Sequence, residues 1–225
     1  MLDRIKNKLI KSGWIRFNSK KYWDRRYARG GDSGEGSKGQ LALFKAEFLN
    51  RFVEENQLKN IVELGCGDGK QLLLANYPNY DGFDISFEAI QACLKMFGGD
   101  KTKRFELLAK KNELEGKRGQ WDLALSLDVL YHLIDQIEFE QYLRTLFSLS
   151  EKYVIIYAPD QEPSFPTALH VRYRKFSEVI TQRFPEWKLI HRIPNKYSSQ
   201  TTGAVSNSEF FIYRKSSNEV ADSGQ

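Results

Sequence analysis

The sequence predicts an α/β fold in which helices cover a mostly parallel β-sheet. From residue 60 onward, short apolar segments of strand length alternate with helical segments, and glycines cluster directly after the first strand. The last two predicted strands are joined by a polar loop without a helix, so we expect them to pair antiparallel. A chain of 225 residues with 41% apolar residues is long enough to bury a sizeable core.

The first 58 residues have a helical texture and are predicted to form an extension of the core. Leu2, Ile5 and Leu9 recur at helical spacing, and a glycine-rich loop follows at 30–39. We expect this loop to be a mobile lid whose backbone amides hold an anionic group of the substrate. The apolar residues of a second amphipathic helix come next: Leu41, Phe44, Phe48, Leu49, Phe52 and Val53.

The elements of the core follow from a change of period at residue 60. We predict strands at 60–65, 80–85, 104–109, 121–127, 153–158, 187–193 and 208–214. We predict helices near 70–76, 86–97, 135–150 and 172–184. A single core domain at 59–215 is therefore expected, followed by a polar tail at 216–225.

Positive charge is concentrated at the N-terminus. The chain has 34 Lys or Arg and 29 Asp or Glu, and residues 1–40 contain 11 of the basic residues but only 4 of the acids. The remainder is slightly acidic, which argues against a uniformly basic surface for nucleic acid. We expect residues 1–18 to form a solvated basic helix, with contact to a membrane surface as the alternative.

Composition also excludes several classes of protein. Two cysteines cannot form the framework of a disulfide-stapled miniprotein. No apolar run of about 18 residues is present, so no membrane-spanning helix is predicted. The N-terminus lacks the apolar region and cleavage site of a secretory signal, and we expect a cytoplasmic protein.

The most specific feature is the segment 62–70, where an apolar strand leads into glycines at positions 65, 67 and 69. Glycines allow a sharp turn and let a ligand lie against bare backbone. A helix is expected to follow and to add its positive dipole end. The next strand ends in Asp84, 19 residues after Gly65, where an acid can accept hydrogen bonds from both ribose hydroxyls of an adenosine.

This motif differs from a dinucleotide site. Its third glycine comes one residue early, and Glu63 precedes the loop. A carboxylate repels a pyrophosphate but attracts a cation. S-adenosylmethionine (SAM) carries a sulfonium and an ammonium and no phosphate, so the residues predict SAM as the cofactor.

Three segments resemble the first, second and fourth motifs of class I SAM-dependent methyltransferases in order and spacing: 62–69, 83–86 and 121–133. The resemblance implies a Rossmann-like sheet of seven strands in the order 3-2-1-4-5-7-6, with strand 7 antiparallel. Residues 22–39 and 170–176 also resemble a bacterial subgroup of small-molecule and glycan-locus methyltransferases. A SAM-dependent enzyme is therefore expected.

The resemblance also implies roles for individual residues. By position, Asp84 binds the ribose hydroxyls, Ile85 packs on the adenine, and Asp128 lies near the ammonium or the transferring methyl group. The acid that many relatives place beside the adenine amino group aligns with Lys110, so adenine recognition must rely on backbone groups or on Asn112. The remaining implied cofactor contacts are Glu63, Gly65, Cys66, Gly67, Gly69 and Ser86.

His132 is the first candidate for a general base. It follows Asp128 by four residues, and a helical turn after the fourth strand would make both side chains face one way at the carboxyl end of the sheet. In this arrangement Asp128 orients the cofactor or the acceptor. The alternative is a structural histidine that is hydrogen-bonded in the wall of the cleft.

The candidate acceptor-binding residues are Tyr22, Arg26, His170, Arg172, Arg174 and Tyr197. In an extended segment Arg172 and Arg174 would share one side, and paired guanidinium groups suit a phosphate or carboxylate. The alternative for this segment is a solvated helix face. Four residues are predicted to cover the cofactor, with ordinary helix packing as the alternative: Tyr22, Trp23, Arg26 and Tyr27.

The sequence therefore predicts a SAM-dependent methyltransferase for oxygen, and as second choice nitrogen, of a small anionic metabolite. A sugar, a sugar phosphate or a phosphorylated intermediate of surface-glycan synthesis would fit. Cys66 and Cys93 lack a partner at metal-ligand spacing, so no metal is predicted. An RNA or DNA methyltransferase and a non-catalytic SAM-binding scaffold stay open, but residues 126–129 lack the Asn/Asp-Pro-Pro-aromatic motif of enzymes that methylate nucleic-acid bases.

Overall fold

The computed structural model describes residues 17–108, 114–162, 168, 170–197 and 206–216. The strands are β1 (Asn60–Leu64), β2 (Asn79–Asp84), β3 (Lys103–Leu107), β4 (Trp121–Leu127), β5 (Ser150–Ala158), β6 (Trp187–Ile193) and β7 (Glu209–Lys215). The α-helices are α1 (Ser19–Ala28), α2 (Gly39–Glu55), α3 (Phe87–Phe97), α4 (Gln136–Leu149) and α5 (Phe176–Arg183).

The seven strands form one sheet in the order β3-β2-β1-β4-β5-β7-β6. Strands β1 to β5 pair in parallel, and β7 is antiparallel to both β5 and β6. The predicted fold class, strand order and antiparallel strand are confirmed. The strand order reverses between β1 and β4, and α/β folds bind ligands at the carboxyl ends of the strands beside such a switch point.

The central strands are apolar along their length because helices cover both faces of the sheet. Ile61, Val62, Leu123, Ala124 and Ile155 have no exposed surface. Alternate residues of these strands enter two separate apolar clusters, one on each side of the sheet. The sheet is therefore a rigid base for residues at its carboxyl edge.

Helix α2 packs on this sheet and is part of the same core. Phe44, Leu49 and Phe52 belong to one apolar cluster with Leu123 and Ile155. The division of the chain at 58/59 and 215/216 stays a prediction. The helix expected in residues 1–16 lies outside the described residues.

Two predicted helices differ from the structure. Instead of a helix at 70–76 there is one 3₁₀ segment, Gln71–Leu74, because the glycine turn and Pro78 leave little chain before β2. The helix predicted from 172 begins only at Phe176. Residues before it run beside the segment after β4, where the Arg172 amide donates to the Tyr131 carbonyl at 2.8 Å.

No helix in the described part of the chain has the length and apolar character that crossing a bilayer requires.

Candidate functional site

A cavity lies at the carboxyl ends of β1, β2 and β4, beneath α1 and the glycine-rich loop. Its position is the one that the strand order favours for a ligand. Its walls are formed by Ser19, Trp23, Tyr27, Ser33, Ser37, Lys45, Glu63, Leu64, Gly65, Cys66, Gly67, Asp68, Gln71, Asp84, Ile85, Leu108, Leu127, Asp128, Val129, His132, Leu133 and Tyr142.

Most of the predicted cofactor residues border this cavity: Glu63, Gly65, Cys66, Gly67, Asp84, Ile85 and Asp128. Gly69 and Ser86 do not, and their assignment as cofactor contacts stays a prediction. Gly69 packs against Cys93 and Phe97, and the Ser86 hydroxyl accepts a hydrogen bond from the Ala89 amide at the start of α3. Asn112 lies outside the described residues.

The turn after β1 requires glycine for two reasons. Gly65 has a φ of 82°, a conformation that residues with a side chain rarely adopt. A Cβ at this position would lie 2.5 Å from Cγ2 of Val129, which follows β4. Glycine therefore lets the loop pass close to β4 and leaves its backbone exposed to the cavity.

Asp84, at the end of β2, is held in place by backbone amides. Its Oδ2 accepts from the Gly67 amide at 2.9 Å, and its Oδ1 accepts from the Ser86 amide at 2.8 Å. Burial raises the pKa of Asp84 above its usual value, although these hydrogen bonds act in the opposite direction. Each carboxylate oxygen keeps a lone pair that can accept from a ligand hydroxyl.

A second acid and an unpaired oxygen lie near the same turn. The Tyr80 hydroxyl donates to Oε2 of Glu63 at 2.7 Å, and burial raises the pKa of Glu63 to about 7. Gln71 donates through Nε2 to the Ala42 carbonyl at 3.0 Å, but its buried Oε1 has no hydrogen-bond partner in the part of the chain that the structure describes. This set of oxygen atoms fits the cationic groups of SAM and disfavours a pyrophosphate.

Asp128 begins the loop after β4 in a left-handed conformation, with a φ of 60°. Three side chains donate to its carboxylate: Lys45 Nζ to Oδ2 at 2.8 Å, and the hydroxyls of Ser208 and Tyr131 to Oδ1 at 3.0 and 3.2 Å. The arrangement suits Asp128 for holding these neighbours in place.

The sequence analysis missed Lys45, although the sequence contains a signal for it. It lies four residues from both Leu41 and Leu49 and therefore interrupts the apolar stripe of α2. A lysine in such a position must bury its charge or bend away from the core. In the structure its side chain is 1% exposed.

His132 ends the short 3₁₀ segment Leu130–His132 and borders the cavity. Its Nδ1 lies 2.7 Å from the His170 carbonyl, and because a carbonyl can only accept, the proton is on Nδ1. Burial, together with the positive charge of Arg26, lowers the pKa of His132 to about 4. The imidazole is therefore neutral near pH 7, and Nε2 keeps a lone pair with no partner among the described residues.

A cluster of aromatic rings joins α1 to the segments that follow β4 and β5. Tyr22 stacks on His170 at 4.7 Å between centroids, and His170 stacks on His132 at 5.3 Å. Trp23 meets His132 edge-on at 4.9 Å. The cluster fixes the orientation of the His132 ring from two sides.

Arg172 and Arg174 do not border the cavity, and their predicted role at the acceptor stays a prediction. Arg172 Nη1 and Arg174 Nη2 both donate to the Ile134 carbonyl, at 2.9 and 3.0 Å. Arg174 Nε also donates to Gln136 Oε1 at 3.2 Å. The two guanidinium groups satisfy polar groups at the start of α4, since a buried carbonyl needs a donor.

Four more of the predicted acceptor-binding residues lie outside the cavity wall, and their contact with the acceptor stays a prediction: Tyr22, Arg26, His170 and Tyr197. Arg26 donates through Nε to the Asp32 carbonyl at 2.7 Å. Tyr197 packs edge-on to Phe44. The face of α1 that borders the cavity consists of Ser19, Trp23 and Tyr27, which follow each other at four-residue spacing. Trp23 and Tyr27 are among the residues predicted to cover the cofactor.

The two cysteines are free and buried. The Cys93 thiol donates to the Gly67 carbonyl at 3.2 Å and supports the glycine turn from below. Within the described ranges no group of three His, Cys, Asp or Glu side chains is placed to hold a metal ion.

Residues 38–201 match a family model described as a methyltransferase domain. No curated protein matches the sequence. Several solved structures have a similar fold. The N-methyltransferase NodS from Bradyrhizobium japonicum WM9, in complex with S-adenosyl-L-homocysteine (SAH), is 16% identical with a TM-score of 0.65, and the match covers 88% of this chain and 99% of NodS.

Two further similar structures are methyltransferases for very different molecules. The magnesium protoporphyrin IX methyltransferase ChlM from Synechocystis PCC 6803, with bound SAM, is 15% identical with a TM-score of 0.62. The match covers 90% of this chain and 99% of the ChlM chain. The small RNA methyltransferase HEN1 is 18% identical with a TM-score of 0.62, and covers 81% of this chain and 26% of its own.

Proposed function

The chain belongs to the family of class I SAM-dependent methyltransferases, and from this premise we propose that it methylates an oxygen, or as second choice a nitrogen, of a small anionic metabolite. The observation that carries the proposal is His132, a neutral imidazole that borders the cavity with an unprotonated Nε2. Methylation of a hydroxyl requires removal of its proton, and a positioned base contributes about 10²–10⁴-fold to such a step.

The residues on the β1–β2 side of the cavity would hold the cofactor. We assign the ribose hydroxyls to Asp84, whose carboxylate is oriented by two amides, and the adenine to Ile85. Glu63 and the unpaired Gln71 Oε1 would accept from the ammonium. SAM, when bound, supplies an electrophilic methyl group.

The residues on the β4 side would prepare the acceptor. His132 Nε2 accepts the proton of the acceptor hydroxyl, and the Nδ1 hydrogen bond to the His170 carbonyl keeps the ring in the required tautomer. Asp128 would hold this side of the cavity in place, because its carboxylate accepts hydrogen bonds from three side chains. Holding the acceptor and the methyl group in line lowers the activation free energy by several kcal/mol.

The basic side chains of α1 and of the glycine-rich loop form ion pairs, which favours a small acceptor molecule rather than a nucleic acid. Lys20 pairs with Asp24 at 3.3 Å, and Arg26 and Lys38 both pair with Asp32. Cations that are neutralised within the protein contribute less to binding a phosphate backbone. The preference for a sugar, a sugar phosphate or an intermediate of glycan synthesis rests on the resemblance of 22–39 and 170–176.

The location of the enzyme is also part of this proposal. Two buried free cysteines are compatible with a reducing compartment, and we place the enzyme in the cytoplasm.

The test is a methyl-transfer assay that measures SAH formation. Wild-type enzyme is incubated with SAM and panels of sugars, sugar phosphates, other hydroxy acids, RNA and DNA. With an accepted substrate, His132→Ala is expected to lower turnover about 10²-fold or more while SAH affinity stays unchanged. His191→Ala, which changes an exposed histidine of β6, is the matched control.

Two outcomes would contradict the proposal. Methyl transfer to RNA or DNA alone would replace the small-molecule acceptor with a nucleic acid. Unchanged turnover by His132→Ala would remove His132 as the base.

A further inference from the structure

Lys45 is a buried cation at the cavity to which neither the proposed base nor the proposed cofactor site gives a function. Its side chain is 1% exposed and its ammonium lies 5.4 Å from the centre of the Tyr157 ring. Burying an ammonium is costly, and an apolar side chain of similar length would fill this space without the desolvation cost. A lysine in this position therefore suggests a ligand that uses its charge.

The Lys45 ammonium has N–H groups that make no hydrogen bond within the described residues. It carries three N–H groups, and within the described residues only Asp128 accepts one of them, at 2.8 Å. Because Lys45 borders the cavity, an acceptor atom there can receive the remaining hydrogen bonds. An anionic oxygen is the partner that an ammonium prefers.

The position of Lys45 is on the acceptor side of the cavity. Asp128 directly follows β4 and Tyr157 lies in β5, whereas Asp84, which we assign to the ribose, ends β2. In the sheet, β1 and β4 separate β2 from β5. Lys45 therefore lies beside β4 and β5, at a distance of two strands from the strand that holds the proposed ribose ligand.

The glycine-rich loop closes over this pair. A Cβ at Gly36 would lie 2.7 Å from Asp128 Oδ2, so the loop backbone packs directly on the partner of Lys45. Ser37 comes next in the chain and borders the same cavity. The loop therefore supplies a residue with a hydroxyl to the cavity that contains Lys45.

We propose that Lys45, assisted by Ser37, is the residue that positions the methyl acceptor by binding a carboxylate or phosphate oxygen. This inference rests on the proposed function, and it moves anion recognition from Arg172 and Arg174 to α2. Asp128 orients the ammonium and carries no direct contact to the acceptor. The enzyme would thus select acceptors with an anionic group near the hydroxyl that is methylated.

The experiment measures anion binding and does not require the natural acceptor. The full-length protein is saturated with SAH, so that the amino-acid end of the cofactor is already in place, and is titrated with inorganic phosphate and separately with acetate. At least one of the two anions should bind the wild-type complex, and the anion that binds identifies the class of acceptor. Lys45→Met should weaken this binding about tenfold or more. Lys95→Met, an exposed lysine of α3, is the control and should bind as the wild type does.

Cofactor fragments distinguish the acceptor from the cofactor as the anion that Lys45 binds. SAH and 5′-methylthioadenosine, which lacks the amino-acid end, should both bind Lys45→Met with wild-type affinity. If SAH binding falls while 5′-methylthioadenosine binding does not, Lys45 holds the cofactor carboxylate and the inference is overturned. Failure of both anions to bind the wild-type complex would also overturn it.

A second variant keeps the test informative if Lys45→Met does not fold. Ser37→Ala removes one hydroxyl from a half-buried loop residue and should weaken binding of the same anion by about two- to tenfold. Unchanged anion binding in Ser37→Ala, with folding of the lysine variant lost, would contradict the inference. Loss of methyl transfer to every acceptor with anion binding intact would instead count against the proposed function.

Discussion

Burial of single side chains sets the protonation states around the cavity. The pKa of Glu63 rises to about 7 and that of His132 falls to about 4, because a low-dielectric surrounding disfavours the charged form of either group. Near neutral pH the imidazole is a free base, while the carboxyl of Glu63 is divided between its two forms. Both states affect the proposed reaction, and each predicts a pH dependence.

The first prediction concerns turnover. His132 must be unprotonated to act as a base, so a lowered pKa extends activity toward acid. We expect kcat to keep its value from about pH 7 down to about pH 5 and to fall near pH 4, far below the value of about 6.5 for an exposed histidine. Initial rates at saturating substrate across this range, with folding checked by circular dichroism, measure it. An acid limb centred near pH 6.5 would contradict the buried, neutral histidine.

The second prediction concerns cofactor binding. The pKa of Glu63 lies above its usual value, so at pH 6 the site is mostly protonated, and a bound cation must displace that proton. SAM affinity is therefore expected to rise by up to about tenfold between pH 6 and pH 8 and to level off above pH 8. Calorimetry in two buffers of different ionisation heat also measures the released proton. Glu63→Gln should bind SAM with little dependence on pH, and proton release by this variant would contradict the assignment.

Among the elements, the extended segment 170–174 braces the loop after β4. Its backbone donates to Tyr131, its carbonyl at His170 accepts from His132, and its two guanidinium groups bind the Ile134 carbonyl. The segment is thus a structural support for the proposed base rather than an anion clamp.

The third prediction tests this support. Arg174→Met keeps much of the side-chain volume but leaves Gln136 Oε1 without its donor, so we expect the free energy of unfolding to fall by about 1–3 kcal/mol. Binding of SAH and of phosphate or acetate should not change. Denaturant titration compares it with Arg51→Met, an exposed arginine of α2. If Arg174→Met matches the stability of this control but loses anion binding, the original prediction of an anion clamp is correct.

For the whole molecule, the sequence was sufficient to predict the sheet and the turn beneath the cofactor. Alternating strands and helices with a glycine turn define a doubly wound topology, and Gly65 and Asp84 fall where that topology places a ligand. These are local patterns that recur at fixed spacing. The same is true of Trp23 and Tyr27, which lie four residues apart on the face of α1 that borders the cavity.

Contacts between distant segments could not be predicted in this way. Lys45 and Asp128 are separated by 83 residues, and Arg174 and Ile134 by 40. Whether a buried cation meets a carboxylate, a carbonyl or a ligand depends on packing that no local pattern contains. The bonds from Arg172 and Arg174 to the Ile134 carbonyl are such contacts, and the sequence did not predict them.

The central claim is that this fold binds SAM through Asp84, and calorimetric titration of SAM tests it most directly. Wild-type protein should bind SAM, and Asp84→Ala, with folding verified by thermal melting, should bind it at least about tenfold more weakly, because two hydrogen bonds to a carboxylate are lost. Wild-type affinity in Asp84→Ala would contradict the claim.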